Sequence, residues 1–199
     1  MLYTACDVLY NNRTNVRMIF RKDFKGTDTN TKLSTSWKHW ISQIDLRTCF
    51  TCKDNNGKIY HISETPYPKP PVHVACRCVL VSMPSIDAGE ATDSGTEGAD
   101  YYLKYYGRLP DNYINKDVAK SIGRKKRKGN LNMIAPGKSI GGDVYDNDDR
   151  HLPEKPGRTW YEADINYKSG YRNDQRIVYS NDGLIFATFD HYNTFMEIN

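Results

Sequence analysis

The sequence predicts an α+β fold in which helices come first and strands follow. Residues 98–139 carry helical spacing and helix-capping residues, whereas residues 139–198 alternate apolar and polar side chains in short stretches between turn residues. All five cysteines lie in the first 78 residues, which sets that part of the chain apart. We therefore expect N-terminal helices packed on a four- to five-stranded antiparallel sheet, preceded by a small Cys-rich module.

A short polar segment divides the chain of 199 residues. Residues 85–93, SIDAGEATD, are small and polar and have the composition of a linker. We expect a Cys-containing module at residues 1–84 and a second domain at residues 94–199, a division that the chain length allows.

The helices of the second domain are predicted from their caps. Ser94 and Glu97 have the spacing of a capping box ahead of GADYYLKYYGR. Asn115 can cap a second helix, KDVAKSIG, and KGNLNMIAPGKS predicts a short helical turn.

Five strands are predicted after the helices: SIGGDVY, RTWYEADINY, QRIVYS, GLIFATFD and TFMEI. Alternation in TWYEAD places Trp160, Glu162 and Asp164 on one face of the sheet. We expect this face to be open to a ligand, or else to be an ordinary solvated face, with the intervening residues in the core.

The bulk composition narrows the classes of function. The chain has 28 Lys and Arg residues and 24 Asp and Glu residues. Its net charge of +4 therefore favours the binding of polyanions only mildly. The mean hydropathy of −0.74 is low, and no apolar run is long enough to span a membrane. The first residues lack the apolar segment and cleavage site of a signal peptide.

One set of polar side chains has the composition that RNA transesterification requires. That reaction needs a base for the 2′-hydroxyl, an acid for the leaving 5′-oxygen and cations for the charged transition state. Glu162 and His191 supply the first two, and Lys116, Arg172 and Arg176 supply the cations. The structural alternatives are a strand-end histidine and arginines that only pair with a carboxylate.

Long motifs in the second domain carry a resemblance. YLKYYGRLPDNYINKDVAKSIG, KGNLNMIAPGKSIGGDVYDN, LPEKPGRTWYEADINYKSGYRNDQRIVYS and DHYNTF resemble the barnase family, the small microbial guanyl-preferring ribonucleases, over about residues 92–199. The resemblance implies an endoribonuclease that cuts single-stranded RNA without a metal or other cofactor. The expected products are a 2′,3′-cyclic phosphate and then a 3′-phosphate. DNA lacks the 2′-hydroxyl nucleophile, so we expect it not to be cleaved.

The resemblance also implies a role for each site residue. Glu162 matches the general base and His191 the general acid, while Lys116, Arg172 and Arg176 match residues around the scissile phosphate.

Further positions match residues that recognise the substrate or support the site. Asp164 matches a buried carboxylate that orients the arginines, and Asp148 stands where these ribonucleases commonly have Arg. The remaining substrate contacts implied are Tyr192, Asn147, Asp149 and Asp143.

The resemblance extends to partners. It implies RNA as substrate, a secreted or injected bacterial toxin, and a barstar-like inhibitor whose acidic groups meet the cationic site. The rival hypothesis is a non-catalytic nucleic-acid-binding component of a phage head or assembly, against which the pair Glu162 and His191 argues.

The Cys-rich module contains two close pairs, Cys49-x2-Cys52 and Cys76-x-Cys78, with His73 just before the second. Cys49, Cys52, Cys76 and Cys78 could hold a structural zinc ion, with His73 as a substitute for one of them. Disulfides and free thiols are the alternatives.

The pattern W…D.RTC..C…G…P..H..CRC over roughly residues 37–81 resembles phage minor head proteins of the Mu F type. This resemblance implies a delivery or processing module ahead of the nuclease. A basic segment, GRKKRKG at residues 123–129, could contact RNA phosphates, form a solvated loop or act as a localisation signal.

Overall fold

The computed structural model describes residues 8–9, 17–18 and 32–199 of the chain. The chain divides into two units, residues 1–31 and residues 32–199. In the first unit, strand β1 (Val8–Leu9) pairs antiparallel with strand β2 (Arg17–Met18). Cys6 lies outside the described residues.

The described part of the second unit contains four short α-helices. They are α1 (Phe50–Asn55), α2 (Ala99–Tyr106), α3 (Lys116–Ser121) and α4 (Leu131–Ile134). Single 3₁₀ turns occupy Gly95–Glu97 and Lys126–Lys128.

The strands of the second unit form one mixed sheet. They are β3 (Lys32–Ile41), β4 (Ile59–His61), β5 (Val79–Ile86), β6 (Tyr113–Ile114), β7 (Ser139–Tyr145), β8 (Trp160–Asp164), β9 (Arg176–Ser180), β10 (Ile185–Thr188) and β11 (Met196–Ile198). Their order across the sheet is β4-β3-β5-β11-β10-β9-β8-β7-β6.

The predicted sheet of four to five antiparallel strands is therefore too small. The five strands expected from the sequence, β7 to β11, do lie side by side and antiparallel. However, β6 adds to one edge in parallel with β7, and β5, β3 and β4 extend the other edge, so nine described strands share the sheet.

The extension begins where β5 pairs in parallel with β11. Ser85 lies opposite Glu197 and Ile86 opposite Ile198. The backbone N–H of Asn199 donates to the carbonyl of Ile86 at 2.9 Å. An open strand edge exposes unpaired backbone groups, and here the Cys-rich module covers the edge that β11 would present.

The segment predicted to be a linker is fixed in place. It starts inside β5, and Ala91 is only 3% exposed. The carboxylate of Asp100 in α2 is fully buried and accepts hydrogen bonds from the backbone N–H groups of Gly89 and Ala91 at 2.8 and 2.9 Å. These bonds attach residues 89–91 to α2, while the division into two domains stays a prediction.

One predicted helix cap is confirmed and another is wrong. The Asn115 side chain accepts the N–H of Val118 at 2.8 Å and caps α3. Ser94 makes no capping bond, and α2 begins only at Ala99. The capping box fails because Asp100 holds the chain ahead of α2 instead.

The sheet has a buried cluster on each face. Along β10, Ile185 and Ala187 pack in the cluster that includes α2, whereas Phe186 between them points to the opposite face. There Phe186 meets Trp37 of β3, with ring centroids 5.7 Å apart. The Cys-rich module therefore supplies part of the second core.

That second core corrects the expectation of an open ligand face. Trp160 is only 5% exposed and packs against Phe186, with ring centroids 5.9 Å apart. Glu162 and Asp164, on the same side of β8, are 6% and 0% exposed. Residues of β3, β4 and β5 pack over the Trp160 end of the face, whereas the carboxylates are enclosed by Lys116, Arg172, Arg176 and Tyr192.

Candidate active site

The sheet brings the predicted site residues together from distant parts of the sequence. Glu162 and Asp164 lie on β8, and the register places Asp164 opposite Arg176 on β9. Lys116 begins α3, and the turn between β10 and β11 carries His191.

Asp164 is the buried centre of an ion-pair network. Arg172 donates from Nε to Asp164 Oδ2 at 2.6 Å and from Nη2 to Oδ1. Arg176 Nε lies 3.0 Å from the same Oδ1. The hydroxyl of Tyr113 donates to the backbone carbonyl of Asp164 at 2.7 Å. Both arginines do pair with this carboxylate, so its negative charge fixes their positions.

Glu162 lies beside this network and has three polar partners. Lys116 Nζ is 2.6 Å from Glu162 Oε1, Arg172 Nη2 is 3.6 Å from the same oxygen, and the Tyr192 hydroxyl donates to Oε2. Burial raises the pKa of the Glu162 carboxyl, but these three partners outweigh burial and hold the pKa below its ordinary value. Glu162 is therefore ionised at neutral pH.

Lys116 is held by a helix-terminal contact. Its backbone N–H, at the start of α3, lies 3.0 and 3.1 Å from the two carboxylate oxygens of Asp143. A carboxylate is favourable at this end of a helix, where backbone N–H groups are unpaired. Asp143 thus positions Lys116, and its predicted contact with substrate stays a prediction.

His191 and Tyr192 lie in a tight turn with left-handed backbone. Their φ angles are 56° and 69°. The backbone N–H of His191 donates to the carbonyl of Asp174 at 3.0 Å, and the N–H of Tyr192 donates to Thr188 Oγ1 at 2.9 Å. These bonds hold an exposed imidazole at the rim of the site.

Tyr145, at the end of β7, is a site residue that the sequence reasoning missed. Its ring stacks on that of Tyr192, with centroids 4.9 Å apart and planes 25° apart. Only its place shortly before Asn147, an implied substrate contact, could have indicated it.

We name residues 147–152 the base-recognition loop, because the resemblance implies substrate contacts at Asn147 and Asp149. Asn147 is 4% exposed, its side chain donating to the carbonyl of Leu152 and accepting the N–H of Leu152. It closes the loop internally. Asp148 and Asp149 are exposed at the loop tip.

The site as a whole combines an ionised carboxylate, several cations and an imidazole around one surface. A phosphodiester could be held by the cations while the carboxylate and the imidazole exchange protons with it. The sequence model of the ribonuclease family matches residues 96–199, which is more than half of the chain. The chain belongs to the ribonuclease family.

Relatives within this family support the assignment. A ribonuclease of Heyndrickxia coagulans is 59% identical over 100 residues, which cover 50% of this chain and 91% of that protein. Ribonucleases of Bacillus intermedius and Bacillus pumilus show the same identity over 100 residues, and the chain spans 61% of their length. The chain is an endoribonuclease.

The Cys-rich module lies outside the residues matched by the ribonuclease family, and its resemblance to phage minor head proteins stays a prediction. Its potential metal ligands form two overlapping groups. One contains Cys49, Cys52 and His73, and the other contains Cys52, Cys76 and Cys78. None of these four cysteines forms a disulfide in the structure.

The donor atoms of these groups have spacings that suit zinc. The Cys52 and Cys76 sulfurs are 3.8 Å apart, and His73 Nε2 lies 3.2 Å from Cys49 Sγ and 3.5 Å from Cys52 Sγ. Tetrahedral zinc separates two sulfurs by about 3.8 Å and sulfur from nitrogen by about 3.5 Å. His73 Nδ1 lies 2.8 Å from the carbonyl of Val74, which leaves Nε2 for a metal.

Two other predictions concern the basic segment 123–129 and membrane-spanning helices. The side chains of Lys125, Lys126, Arg127 and Lys128 are exposed, so the alternatives for the basic segment stay open. Among the described residues, no helix combines the length and the apolar character that a membrane span needs.

Proposed function

We propose that this endoribonuclease cleaves single-stranded RNA by transesterification, with Glu162 as general base and His191 as general acid. The observation that carries the proposal is the setting of Glu162, an ionised and almost buried carboxylate 2.6 Å from Lys116 Nζ and 3.6 Å from Arg172 Nη2. A carboxylate amid fixed cations can accept a proton next to a phosphate that the same cations bind.

In the first step, Glu162 removes the proton of the ribose 2′-hydroxyl. The 2′-oxygen attacks the phosphorus, and the bond from phosphorus to the 5′-oxygen breaks. His191, in its protonated form, supplies a proton to that leaving 5′-oxygen, so the products are a 2′,3′-cyclic phosphate and a free 5′-hydroxyl. In the second step, water opens the cyclic phosphate to a 3′-phosphate with the two roles exchanged.

The cations stabilise the charge that develops on the phosphate oxygens. Lys116, Arg172 and Arg176 lie on three different segments, and Asp164 and Asp143 hold them from behind. Such preorganised charges need no rearrangement when the transition state forms. The Tyr192 hydroxyl contacts Glu162 Oε2 in the free protein, so in this scheme the substrate's 2′-hydroxyl takes its place.

Guanine preference is the proposal for base selection. Asn147 has φ of 50° and Arg150 has φ of 52°, so the base-recognition loop turns sharply. Asp149 offers a carboxylate to the base edge, and Tyr192 with Tyr145 offers aromatic rings for stacking.

The test is the product formed from dinucleotides. The full chain, in buffer without added divalent cations, is incubated with GpN, ApN and CpN. We expect a nucleoside 2′,3′-cyclic phosphate from GpN first and most rapidly. A 5′-phosphate product would contradict the mechanism, equal rates on all three would contradict guanine preference, and binding without cleavage would favour the non-catalytic rival.

A structural zinc ion in the Cys-rich module is part of the proposal. Cys49, Cys52, His73 and Cys76 supply sulfur and nitrogen atoms at suitable spacing, with Cys78 next to them. Zinc there would hold the module together and would supply no step of RNA cleavage. Metal analysis of the purified chain decides the point, with one zinc ion per chain expected and a metal-free folded chain the contrary result.

The remaining parts of the proposal concern the protein's role as a toxin and its inhibitor. A secreted or injected toxin and a barstar-like inhibitor with acidic groups both fit a cationic site. Expression in a bacterial cell should stop growth only while Glu162 is intact, and undisturbed growth would contradict the toxin role.

A further inference from the structure

The Cys-rich module touches the base-recognition loop directly. The backbone N–H of Ile59, in β4, donates to the carbonyl of His151 at 2.7 Å. The imidazole of His151 lies against the Cα of Gly57, so closely that a Cβ at Gly57 would be 2.8 Å from His151 Nε2. Gly57 therefore leaves room for the imidazole, which an alanine at that position would not.

The same end of the loop is held from its other side. Leu152 is 1% exposed and belongs to the core cluster that contains Trp37, Ile59 and Met83 of the module. Its backbone N–H and carbonyl both bond to the Asn147 side chain. The loop is thus enclosed between its own first residue and the module.

The loop depends on such support because of its backbone. Arg150 has φ of 52°, a left-handed conformation that a residue with a side chain rarely adopts. Conformations of this kind persist only where the surrounding structure enforces them. The next residue is His151, whose carbonyl accepts the N–H of Ile59 and whose imidazole packs against Gly57.

The turn 56–59, which contacts His151, is itself hydrogen-bonded to the rest of the module. The N–H of Gly57 donates to the carbonyl of Trp40, and the N–H of Trp40 donates to the carbonyl of Lys58, both at 2.9 Å. The turn directly follows α1, whose first residue is preceded by the capping Cys49. The turn that contacts the base-recognition loop therefore lies directly after the helix that Cys49 caps.

We infer that the turn 56–59 of the Cys-rich module sets the conformation of the base-recognition loop, with Gly57 and Ile59 as positioning residues for base selection. This inference rests on the proposed function of that loop. The module lies outside the residues matched by the ribonuclease family, so here base selection includes a part of the chain beyond the matched ribonuclease domain.

The test compares two glycine-to-alanine variants of the full chain. Gly57 and Gly157 have φ of 87° and 80°, so alanine imposes similar backbone strain at both. A Cβ at Gly57 collides with His151, whereas a Cβ at Gly157 meets nothing within 4 Å. The pair therefore isolates the contact with the loop from the cost of the strained backbone.

Two quantities are measured on both variants. We expect Gly57→Ala to raise the dissociation constant of guanosine 3′-monophosphate about 5-fold or more and to speed hydrogen exchange of the amides of residues 147–152. Gly157→Ala should change neither. The double variant Gly57→Ala, His151→Ala should show the same exchange rates as His151→Ala alone. Without the imidazole, the new methyl group at position 57 has nothing to collide with.

Each outcome decides something. Equal behaviour of the two glycine variants overturns the inference, even if RNA cleavage and guanine preference are present. A parent chain that neither binds the nucleotide nor cleaves RNA refutes the proposed function, and with it the role in base selection, whatever the exchange rates. If Gly57→Ala does not fold, His151→Ala tests the same contact, and unchanged exchange of the loop amides in that variant overturns the inference.

Discussion

Replacing Glu162 by glutamine is expected to lower kcat/KM for RNA cleavage by about 10²–10⁴-fold, the usual contribution of a positioned general base. Glutamine keeps the shape of the side chain and can still accept a hydrogen bond from Lys116 Nζ, so the site should stay assembled. It cannot accept the proton of the 2′-hydroxyl. The loss should appear in kcat, with KM almost unchanged.

A matched control is Glu154→Gln, at an exposed position outside the site, which should leave the rate unchanged. The pH dependence of the parent adds a check. Because the pKa of Glu162 lies below its ordinary value, the base stays ionised into mildly acidic solution, and activity falls only as the pH drops through that lowered pKa. A Glu162→Gln variant within about tenfold of the parent rate would contradict the assignment of the base.

Neutralising Asp164 is expected to produce the largest loss of stability. Asp164 is fully buried between two guanidinium groups, and the side chain of Arg176 is only 3% exposed. Removing one partner of a buried ion pair leaves charge without compensation and costs about 3–5 kcal/mol in the free energy of unfolding. Asp164→Asn should lose about that amount in urea denaturation at neutral pH.

The control is an ion pair on the surface. Asp111 pairs with Arg108 at 2.7 Å, but its side chain is 93% exposed, so water and salt screen the pair and Asp111→Asn should change little. Asp164→Asn should also leave Arg172 and Arg176 less firmly positioned for the phosphate, so activity should fall too. An Asp164→Asn variant as stable as the parent would show that the arginines are held by other groups.

The sequence predicted the strands of the ribonuclease domain well because their signal is local. β7 was predicted at its observed bounds, and β8 to β11 lie inside their predicted stretches. Alternation and turn residues are properties of neighbouring residues, so they are visible in a sequence. The cap at Asn115 is also local, since it bonds a residue three positions later.

The elements that were missed depend on contacts between distant residues. β5 joins β11 across more than 100 positions of the chain, and nothing in SIDAGEATD indicates that its first two residues pair with a strand. The buried bonds of Asp100 replace the expected capping box in the same way. The cover over Trp160 comes from Trp37, which alternation within β8 cannot reveal.

The roles of the candidate site residues stay predictions, whereas their geometry comes from the structure. Resemblance supplied Glu162, His191 and the cations, while the structure adds that Asp143 holds the Lys116 backbone and that Tyr145 stacks on Tyr192. The contact of Gly57 with His151 was not foreseen, because a glycine gives no sign of what packs against its missing side chain.

The most direct test of the paired roles of Glu162 and His191 varies the leaving group. A nucleoside 3′-(4-nitrophenyl phosphate), with the base that the parent prefers, releases a nitrophenolate that needs no protonation, whereas a dinucleotide releases a 5′-alkoxide that does. His191→Ala should lose about 10²–10⁴-fold in kcat/KM on the dinucleotide but less than about tenfold on the aryl ester, and Glu162→Gln should lose heavily on both. Equal losses of His191→Ala on the two substrates would contradict the assignment of His191 as the acid.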